Sequence, residues 1–318
     1  MMREFNYINA KTLDEAISAL SNEKTLIIAG GTDLIGGMKD QIFPEYPQTL
    51  VNLKTVSPGL DYIREEGGVL KIGALTRLAN IAGNPAIKSG YAALAESAHR
   101  AASPHIREMG TIGGNICQHV RCWYFRSSNN RFHCIRKGGR RCYAITGDNR
   151  YHSIFGGGQG CMAVHPSDTA PALVALNASI LTSSGRSIEA GKFWNVRIPG
   201  STILQSDEIV TEIQIPKPAP DSRSAFLKFA LRKSIDFPVV NCAAAIDGRR
   251  ARICLNAVYN TPYRATRAEE LIAGHPINQV NADEAGSAAV EGSRALAMNK
   301  WKVQVAKVLV KETLLACA

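Results

Sequence analysis

The sequence predicts an α+β protein of two domains, and three observations carry that prediction. Strand-like and helix-like hydrophobic patterns alternate before residue 216, the proline-rich segment 216–220 is the clearest linker, and three strand-like runs follow it. A chain of 318 residues is long enough for two domains. We therefore expect one domain over 1–216 and a smaller α+β domain over 217–318, built on a three-stranded antiparallel sheet with helices.

The individual elements follow from local patterns. Thr12, with Glu15 three residues later, predicts a capped helix over 13–20. The other elements expected before the linker are strands at 5–8, 25–29, 49–53, 70–74 and 208–215, helices at 76–81 and 91–102, an apolar segment at 171–176 and a hairpin with arms at 179–181 and 186–189. After it we expect strands at 225–231, 239–246 and 251–257 and helices at 267–273 and about 282–315.

Two glycine-rich segments are candidate ligand loops. Gly30-Gly31-Thr32-Asp33 directly follows a buried strand, and Gly110-Thr111-Ile112-Gly113-Gly114-Asn115 lies further along the chain. Glycines allow backbone N–H groups to approach an anion, and the hydroxyl of Thr32 adds a donor. The first loop is neither the GxGxxG dinucleotide fingerprint nor a Walker phosphate-binding loop. A tight turn into a helix explains it equally well.

The segment from residue 110 to 170 also contains most of the cysteines. Five of the chain's eight lie there, and the N-terminal residues show no apolar signal peptide, which argues against a disulfide framework and for thiol ligands. The spacing is not the tight run of the ferredoxins. Four thiolates could equally hold zinc, and free structural cysteines are a third interpretation. The five are Cys117, Cys122, Cys134, Cys142 and Cys161.

Other cysteines and histidines receive simpler interpretations. Cys242, Cys254 and Cys317 lie in apolar surroundings and are expected to be small buried hydrophobes. The histidines near the cysteine cluster are interpreted as surface groups or as groups just outside the metal ligands; they are His119, His133 and His152.

The net charge of +10 is concentrated in one place. Residues 118–152 contain eight Lys/Arg against one acid, Asp148. This concentration argues against a nucleic-acid surface. The basic residues could offset the negative charge of a metal–thiolate cluster, bind an acidic partner, or simply form a solvated basic loop. The residues proposed to bind such a partner are Arg136, Lys137, Arg140 and Arg141. With no run of about 20 apolar residues and no export signal, we expect a cytoplasmic protein without a membrane span, or export with a signal-bearing partner.

Three motifs in order resemble the FAD-binding subunit of the molybdenum hydroxylases, the family of xanthine dehydrogenase and carbon monoxide dehydrogenase. They are 28–34 (IAGGTDL), 110–115 (GTIGGN) and Ser167-Asp168. The segment 232–239 (RKSIDFPV) resembles the family's next motif, so the resemblance covers nearly the whole chain. It implies an FAD domain of the p-cresol methylhydroxylase type in two α/β lobes, followed by the smaller α+β domain.

The resemblance also implies the residues that bind FAD. Backbone N–H groups of both loops would hold the pyrophosphate and ribityl chain, and Asp168 would contact the flavin nucleotide. Arg232 and Asp236 would lie near the isoalloxazine edge, with a surface ion pair as the alternative. The implied cofactor-binding set is Ile28, Ala29, Gly30, Gly31, Thr32, Asp33, Leu34, Thr76, Ala102, Gly110, Thr111, Gly114, Asn115, Asp168, Val210 and Lys228.

The cysteine-rich insertion at about 117–161 departs from most of the family and resembles a subset with an extra [4Fe-4S] cluster. That subset contains the flavin subunits of 4-hydroxybenzoyl-CoA reductase and of a bacterial molybdenum aldehyde oxidoreductase. The resemblance implies four ligands and leaves Cys117 out; the four are Cys122, Cys134, Cys142 and Cys161.

The implied activity is electron transfer, with no catalytic residue in this chain. A large subunit with molybdopterin would act on the substrate, a small subunit with [2Fe-2S] clusters would carry electrons to FAD, and a ferredoxin-like carrier would take them further. Two alternatives are a reductase resembling 4-hydroxybenzoyl-CoA reductase, with inward electron flow, and a zinc-stabilised binding protein that is not an enzyme.

Overall fold

The chain forms three units, each built on its own sheet. The structure, a computed structural model, describes residues 2–233, 235–248 and 250–318. Ser234, which belongs to the motif at 232–239, lies outside the described residues, as do Met1 and Arg249.

The first lobe contains a three-stranded parallel sheet in the order β1-β3-β2. Leu50 packs on one face with Met38, while Val51 packs on the other with Ala16 and Leu20, because successive strand residues point to opposite faces. Strand β2 therefore ends, buried, just before the first glycine-rich loop. The elements are β1 Asn6–Asn9, α1 Leu13–Leu20, β2 Thr25–Ile28, α2 Leu34–Lys39 and β3 Thr49–Asn52.

The second lobe contains a five-stranded antiparallel sheet in the order β4-β5-β8-β6-β7, covered by helices. Ile72, Ile180 and Ile213, from three adjacent strands, are fully buried in its core. Its elements are β4 Ile63–Glu66, β5 Val69–Gly73, α3 Leu78–Gly83, α4 Pro85–Gly90, α5 Ala92–His99, α6 Pro104–Arg107, α7 Ile112–Ile116, α8 Thr169–Ala175, β6 Ser179–Thr182, β7 Ser187–Glu189, α9 Ala190–Phe193 and β8 Val210–Pro216.

The third unit follows the linker and contains a four-stranded antiparallel sheet in the order β12-β11-β10-β9. Helix α12 packs on this sheet through Ala306, Val310 and Leu314. A small cluster that includes Ala172 and Phe226 joins the sheet to the second lobe. The elements are β9 Arg223–Phe229, β10 Val240–Asp247, β11 Arg250–Asn256, β12 Tyr263–Arg264, α10 Thr266–Ile272, α11 Gln279–Ala289 and α12 Trp301–Leu315.

The predicted mixture of strands and helices is confirmed, with local differences. The side chain of Thr12 caps α1 as expected, but the carboxylate of Glu15 accepts from the backbone N–H of Lys11. The predicted C-terminal helix is two helices, because residues 290–300 form an irregular connection. The sheet after the linker gains the two-residue edge strand β12. In the described ranges, no helix is long and apolar enough to cross a bilayer.

The predicted insertion, by contrast, contains little regular structure. Between Cys117 and Cys161 the structure has two short 3₁₀ turns, Ser128–Asn130 and Ile135–Lys137. The segment packs into the core of the first lobe through Val120 and Phe125. It is therefore a packed irregular segment, held by side-chain contacts and not by secondary structure.

Candidate functional site

A cleft of about 600 Å³ lies where the two lobes meet the third unit. Its walls contain both glycine-rich loops, and residues Ile235 and Phe237 from the third unit close one side. Every residue of the predicted cofactor-binding set lines it except Thr76 and Lys228. The sequence motifs therefore converge on one cavity.

The two glycine-rich loops touch each other through their backbones. A Cβ added to Gly30 would lie 2.0 Å from the carbonyl oxygen of Met109, so only glycine fits there. Gly31 has a φ of +70°, in the left-handed region that favours glycine. The hydroxyl of Thr111 accepts a hydrogen bond from the N–H of Gly114 at 3.1 Å. The cleft floor is consequently a backbone surface with few side chains.

Asp33 links the first loop to the cysteine-rich segment. Its carboxylate accepts hydrogen bonds from Arg126 at 2.5 Å and from the backbone N–H of His119 at 2.9 Å, and it pairs with Arg121 at 2.9 Å. Burial alone would raise the pKa of Asp33, but His119 and the two arginines hold this pKa well below its usual range. The carboxylate is thus a fixed negative charge that anchors residues 119–126 beside the cleft.

Ser167 and Asp168 are held by a row of three side chains on adjacent strands. Lys228, Asn241 and Asn256 occupy paired positions on β9, β10 and β11. Lys228 donates to Asp168 at 2.8 Å, Asn241 donates to the same carboxylate at 2.7 Å, and Asn256 donates to the carbonyl of Ser167 at 2.6 Å. Burial raises the pKa of Asp168, and the ammonium of Lys228 opposes that rise. The third unit therefore fixes one wall of the cleft.

The remaining predicted cofactor residues lie both inside and outside the cleft. Thr76 is buried, and its hydroxyl is bonded to the backbone of Tyr62 on both sides, accepting at 3.1 Å and donating at 2.9 Å. Ala102, with a φ of +49°, lines the cleft beside the second loop. Asn115 accepts from Ser167 at 2.5 Å and from Thr169 at 2.8 Å, so its amide joins the two later motifs.

The four cysteines predicted as ligands lie in one region of the structure, called here the cysteine pocket, although no three His, Cys, Asp or Glu side chains among the described residues are arranged to hold a metal ion. Cys122, Cys134 and Cys161 belong to a single apolar cluster, and Cys142 lies beside Cys161. The neighbouring thiol of Cys142, together with the guanidinium of Arg136, lowers the pKa of Cys161. Burial, with smaller contributions from the charges of Cys161 and Cys134, raises the pKa of Cys122 to about 12. Cys117 lies apart, exposed in the cleft.

Two buried cations, Arg136 and Lys137, lie beside these cysteines, and a third buried basic group, Lys302, binds the backbone of His152. Arg136 and Lys137 are 3% and 4% exposed, and Lys302 is fully buried. Lys302 donates to three backbone carbonyls, those of Tyr151, His152 and Ala257, and burial lowers its pKa to about 7. Among the contacts that the structure describes, none of the three cations meets a carboxylate. The pocket therefore has excess positive charge.

A second cavity, of about 420 Å³, lies between the cleft and the cysteine pocket. Arg121 and Phe237 line both cavities, and Cys122 lines the second. The ring nitrogen Nε2 of His152 lies 3.2 Å from the sulfur of Cys122. Burial, together with the charge of Lys302, lowers the pKa of His152 to about 4, so the ring is neutral near pH 7. The two cavities place the cysteine pocket close to the cleft.

The structure alters the proposed docking surface and places the charged residues Arg232 and Asp236. The sequence predicts Arg136 and Lys137 in an exposed docking surface, but both side chains are buried. Arg136 donates hydrogen bonds to Cys161 and to the backbone of the 199–201 segment, and Lys137 donates to Asn130. Only Arg140 and Arg141 of that set are exposed. Arg232 and Asp236 form an ion pair, the alternative expected for them, in which Arg232 is exposed and Asp236 is partly buried. Both residues line the second cavity.

Several site residues have no clear signal in the sequence. Asn241 and Asn256 sit inside ordinary strand patterns, so only the strand pairing reveals their row with Lys228. Phe237 and Ile235 reach the cleft from beyond the linker. His152 was interpreted as lying outside the ligands or at the surface; it is buried against Cys122, whereas His133 is exposed.

Comparison with known proteins assigns the family. Residues 3–218 match the FAD-binding domain in molybdopterin dehydrogenases, and residues 225–317 match the carbon monoxide dehydrogenase flavoprotein C-terminal domain. The chain belongs to this family of FAD-binding oxidoreductase subunits.

Individual relatives agree with that assignment. The FAD-binding subunit PaoB of the Escherichia coli aldehyde oxidoreductase is 34% identical, over 84% of this chain and 86% of its own. The nicotinate dehydrogenase FAD-subunit of Eubacterium barkeri is 29% identical, over 87% of this chain and 82% of its own. The carbon monoxide dehydrogenase structure from Hydrogenophaga pseudoflava contains a chain of the same fold, with a TM-score of 0.77 at 24% identity, covering 100% of this chain and 98% of that one.

Proposed function

We propose that this chain is the electron-transfer subunit of a heterotrimeric molybdenum hydroxylase and holds FAD and a [4Fe-4S] cluster. The observation that carries the proposal is the adjacency of two sites: a backbone-lined cleft of the FAD-binding family and, one small cavity away, a pocket of four cysteines. FAD, when bound, accepts or donates electrons in pairs or singly, which suits a subunit between a two-electron reaction and one-electron carriers.

Different residues of the cleft would bind different parts of FAD. Backbone N–H groups of 29–34 and 110–115 would bind the pyrophosphate and ribityl chain. In support, the glycines where the two loops meet have no side chains that would keep the cofactor from the backbone. Ala102 and Val210 would pack against the cofactor. Lys228 would act through Asp168, whose position it fixes, while Thr76 would hold the chain that enters helix α3.

The residues of the cysteine pocket fit a negatively charged cluster. Cys122, Cys134, Cys142 and Cys161 supply four thiolate ligands, the usual set for a [4Fe-4S] cluster, which serves as a one-electron carrier. Arg136, Lys137 and Lys302 are cations without carboxylate partners, and the Nη2 atom of Arg136 is buried with no hydrogen-bond partner. Such cations would offset the charge of the thiolates and the cluster.

A single zinc ion suits the same pocket less well. One tetrahedral ion needs all four sulfurs about 2.3 Å from one point. Across the residues that the structure describes, no three His, Cys, Asp or Glu side chains are arranged to hold a metal ion. We prefer the cluster because a cubane of eight atoms spans more widely separated sulfurs than one ion does.

The chain would meet three kinds of partner. A molybdopterin-binding large subunit would act on an aldehyde or an aromatic or N-heterocyclic substrate, a [2Fe-2S] small subunit would pass electrons to FAD, and an acidic ferredoxin-like carrier would receive them. The heterotrimer is proposed to be cytoplasmic and present twice in the assembly. Within the chain, 1–216 would form the FAD domain and 217–318 the smaller domain that closes the cleft.

The first experiment is anoxic purification followed by determination of FAD, iron, zinc and acid-labile sulfide. We expect about one FAD, four irons and four sulfides per chain. Serine at any of the four ligand cysteines should remove iron but leave FAD, whereas Cys117→Ser, the matched control, should leave both. Zinc without sulfide would contradict the cluster, and a colourless protein would contradict the whole proposal.

A further inference from the structure

Arg136 makes a direct contact with one of the four cysteines of the pocket. Its Nε–H donates to the sulfur of Cys161 at 3.1 Å. The other side of the guanidinium donates to the backbone carbonyls of Pro199 and Gly200, at 3.2 and 3.0 Å. The contacts on both sides fix the plane of the guanidinium, so its charge stays at one distance from the sulfur.

Among the contacts that the structure describes, no carboxylate meets Arg136, and the group beside it that can carry a negative charge is the sulfur of Cys161. Arginine remains protonated at every accessible pH, and this one is 3% exposed. Burying an unpaired charge is costly, which implies that an anion belongs beside it. The Nη2 atom has no hydrogen-bond partner in the structure and remains available to that anion.

The other buried cations of the pocket do not reach sulfur. Lys302 donates to backbone carbonyls, and Lys137 donates to the side-chain amide of Asn130 at 2.7 Å. In the hydrogen bonds described for the chain, Arg136 is the only Lys or Arg whose nitrogen meets a cysteine sulfur. Arg136 therefore differs from Lys137 in kind: it donates a hydrogen bond directly to a proposed ligand, whereas Lys137 acts on Cys134 and Cys122 through its charge alone.

We propose that Arg136 raises the reduction potential of the cluster that Cys161 helps to bind, and so sets whether electrons from the flavin reach it. The proposal rests on the cluster of the proposed function. Reduction adds one electron to the cluster and forms or breaks no bond to Arg136, which keeps its proton. A fixed cation stabilises the more negative reduced state more than the oxidised state, and a hydrogen bond to the ligand sulfur acts in the same direction.

The test is a potentiometric titration of the full chain, followed by electron paramagnetic resonance of the reduced cluster and by flavin absorbance. Arg136→Gln removes the charge, Arg136→Lys keeps it with altered geometry, and Arg140→Gln removes an exposed charge from the same segment as the control. For Arg136→Gln we expect the cluster to become at least tenfold harder to reduce, a shift of about 59 mV for one electron. Arg136→Lys should shift less, and the control and the flavin should not shift.

Each outcome separates this inference from the proposed function. Wild-type protein without iron and sulfide would remove the proposed function itself. Iron and sulfide in all variants, with the Arg136→Gln potential equal to that of Arg140→Gln, would overturn only the role of Arg136. Loss of iron from both Arg136 variants with FAD retained would also overturn it, because Arg136 would then be needed for assembly and not for the potential.

Discussion

The carboxylate of Asp33 accepts a hydrogen bond from Arg126 across 93 residues of sequence, at 2.5 Å. Asp33 belongs to the first glycine-rich loop, and Arg126 belongs to the cysteine-rich segment. Because Arg121 and the N–H of His119 bind the same carboxylate, one side chain couples the cleft to the segment that carries the cysteines. A substitution in the cysteine-rich segment at this contact should therefore alter the cleft, and a substitution of Asp33 should alter the cysteine-rich segment.

Replacing Asp33 by Asn should weaken FAD binding at least tenfold. The variant leaves two partly buried arginines without their anion, which costs about 3 kcal/mol or more and loosens the loop. FAD affinity can be measured by fluorescence quenching during reconstitution. Asp40→Asn, at the other end of helix α2, is the control, since its side chain is exposed. An unchanged FAD affinity in Asp33→Asn would contradict the coupling.

Replacing Gly30 by Ala should destabilise the chain and remove FAD. The new Cβ would overlap the carbonyl oxygen of Met109, so the two loops must separate. Overpacking of this kind costs about 1–3 kcal/mol or more. Gly36→Ala is the matched control, because nothing lies within 4 Å of its added Cβ. Urea unfolding and bound flavin would be measured together, and equal results for the two variants would refute the close contact.

Replacing Lys302 by Met should lower the free energy of unfolding by about 3 kcal/mol. The methionine fills the space but leaves three buried carbonyls without their donor. Lys307→Met, on the same helix and only partly buried, should change stability much less. Denaturant unfolding of both variants provides the measurement. A variant as stable as the wild type would mean that these carbonyls find other donors.

Glu208 should give the chain a stability that disappears in acid. Burial would raise its pKa, but Arg186, Ser184 and Thr182 lower it from 4.5 to about 2. A carboxyl group whose pKa is depressed on folding contributes its stability above pH 4.5 and loses it as the pH falls towards 2.

The corresponding experiment compares the wild type with Glu208→Gln between pH 3 and pH 7. We expect a difference in unfolding free energy of about 2–3 kcal/mol near neutral pH that shrinks below pH 4.5. Glu189→Gln, at an exposed pair, should show no such change. A difference that is constant with pH would mean that the ionised carboxylate is not what stabilises this site.

Charge reversal at Arg140 and Arg141 tests the docking of an acidic carrier. Both side chains are exposed on the insertion, so the double variant should slow electron transfer to an acidic ferredoxin at low salt, and the difference should vanish at high salt. Lys192→Glu, exposed on the second lobe, serves as the control. Stopped-flow rates that are equal at low salt would exclude this surface as the docking site.

The sequence predicted what is local and missed what depends on distant contacts. Glycine-rich loops and alternating strands have local signatures, and all the predicted cofactor residues except Thr76 and Lys228 accordingly line one cleft. Arg136 was misjudged because a run of basic residues carries no sign of which member is buried. The irregular connection after α11 was missed because it depends on Asn299, whose amide is bonded to the carbonyls of His152 and Ser153.

The row of Lys228, Asn241 and Asn256 across three strands has a consequence for how the chain unfolds. These side chains come from the unit after the linker, yet they hold Ser167 and Asp168 of the unit before it. A fragment that ends at the linker would leave Asp168 without its cation and would lose one wall of the cleft. The two units should therefore melt in a single cooperative transition, and flavin release should coincide with it.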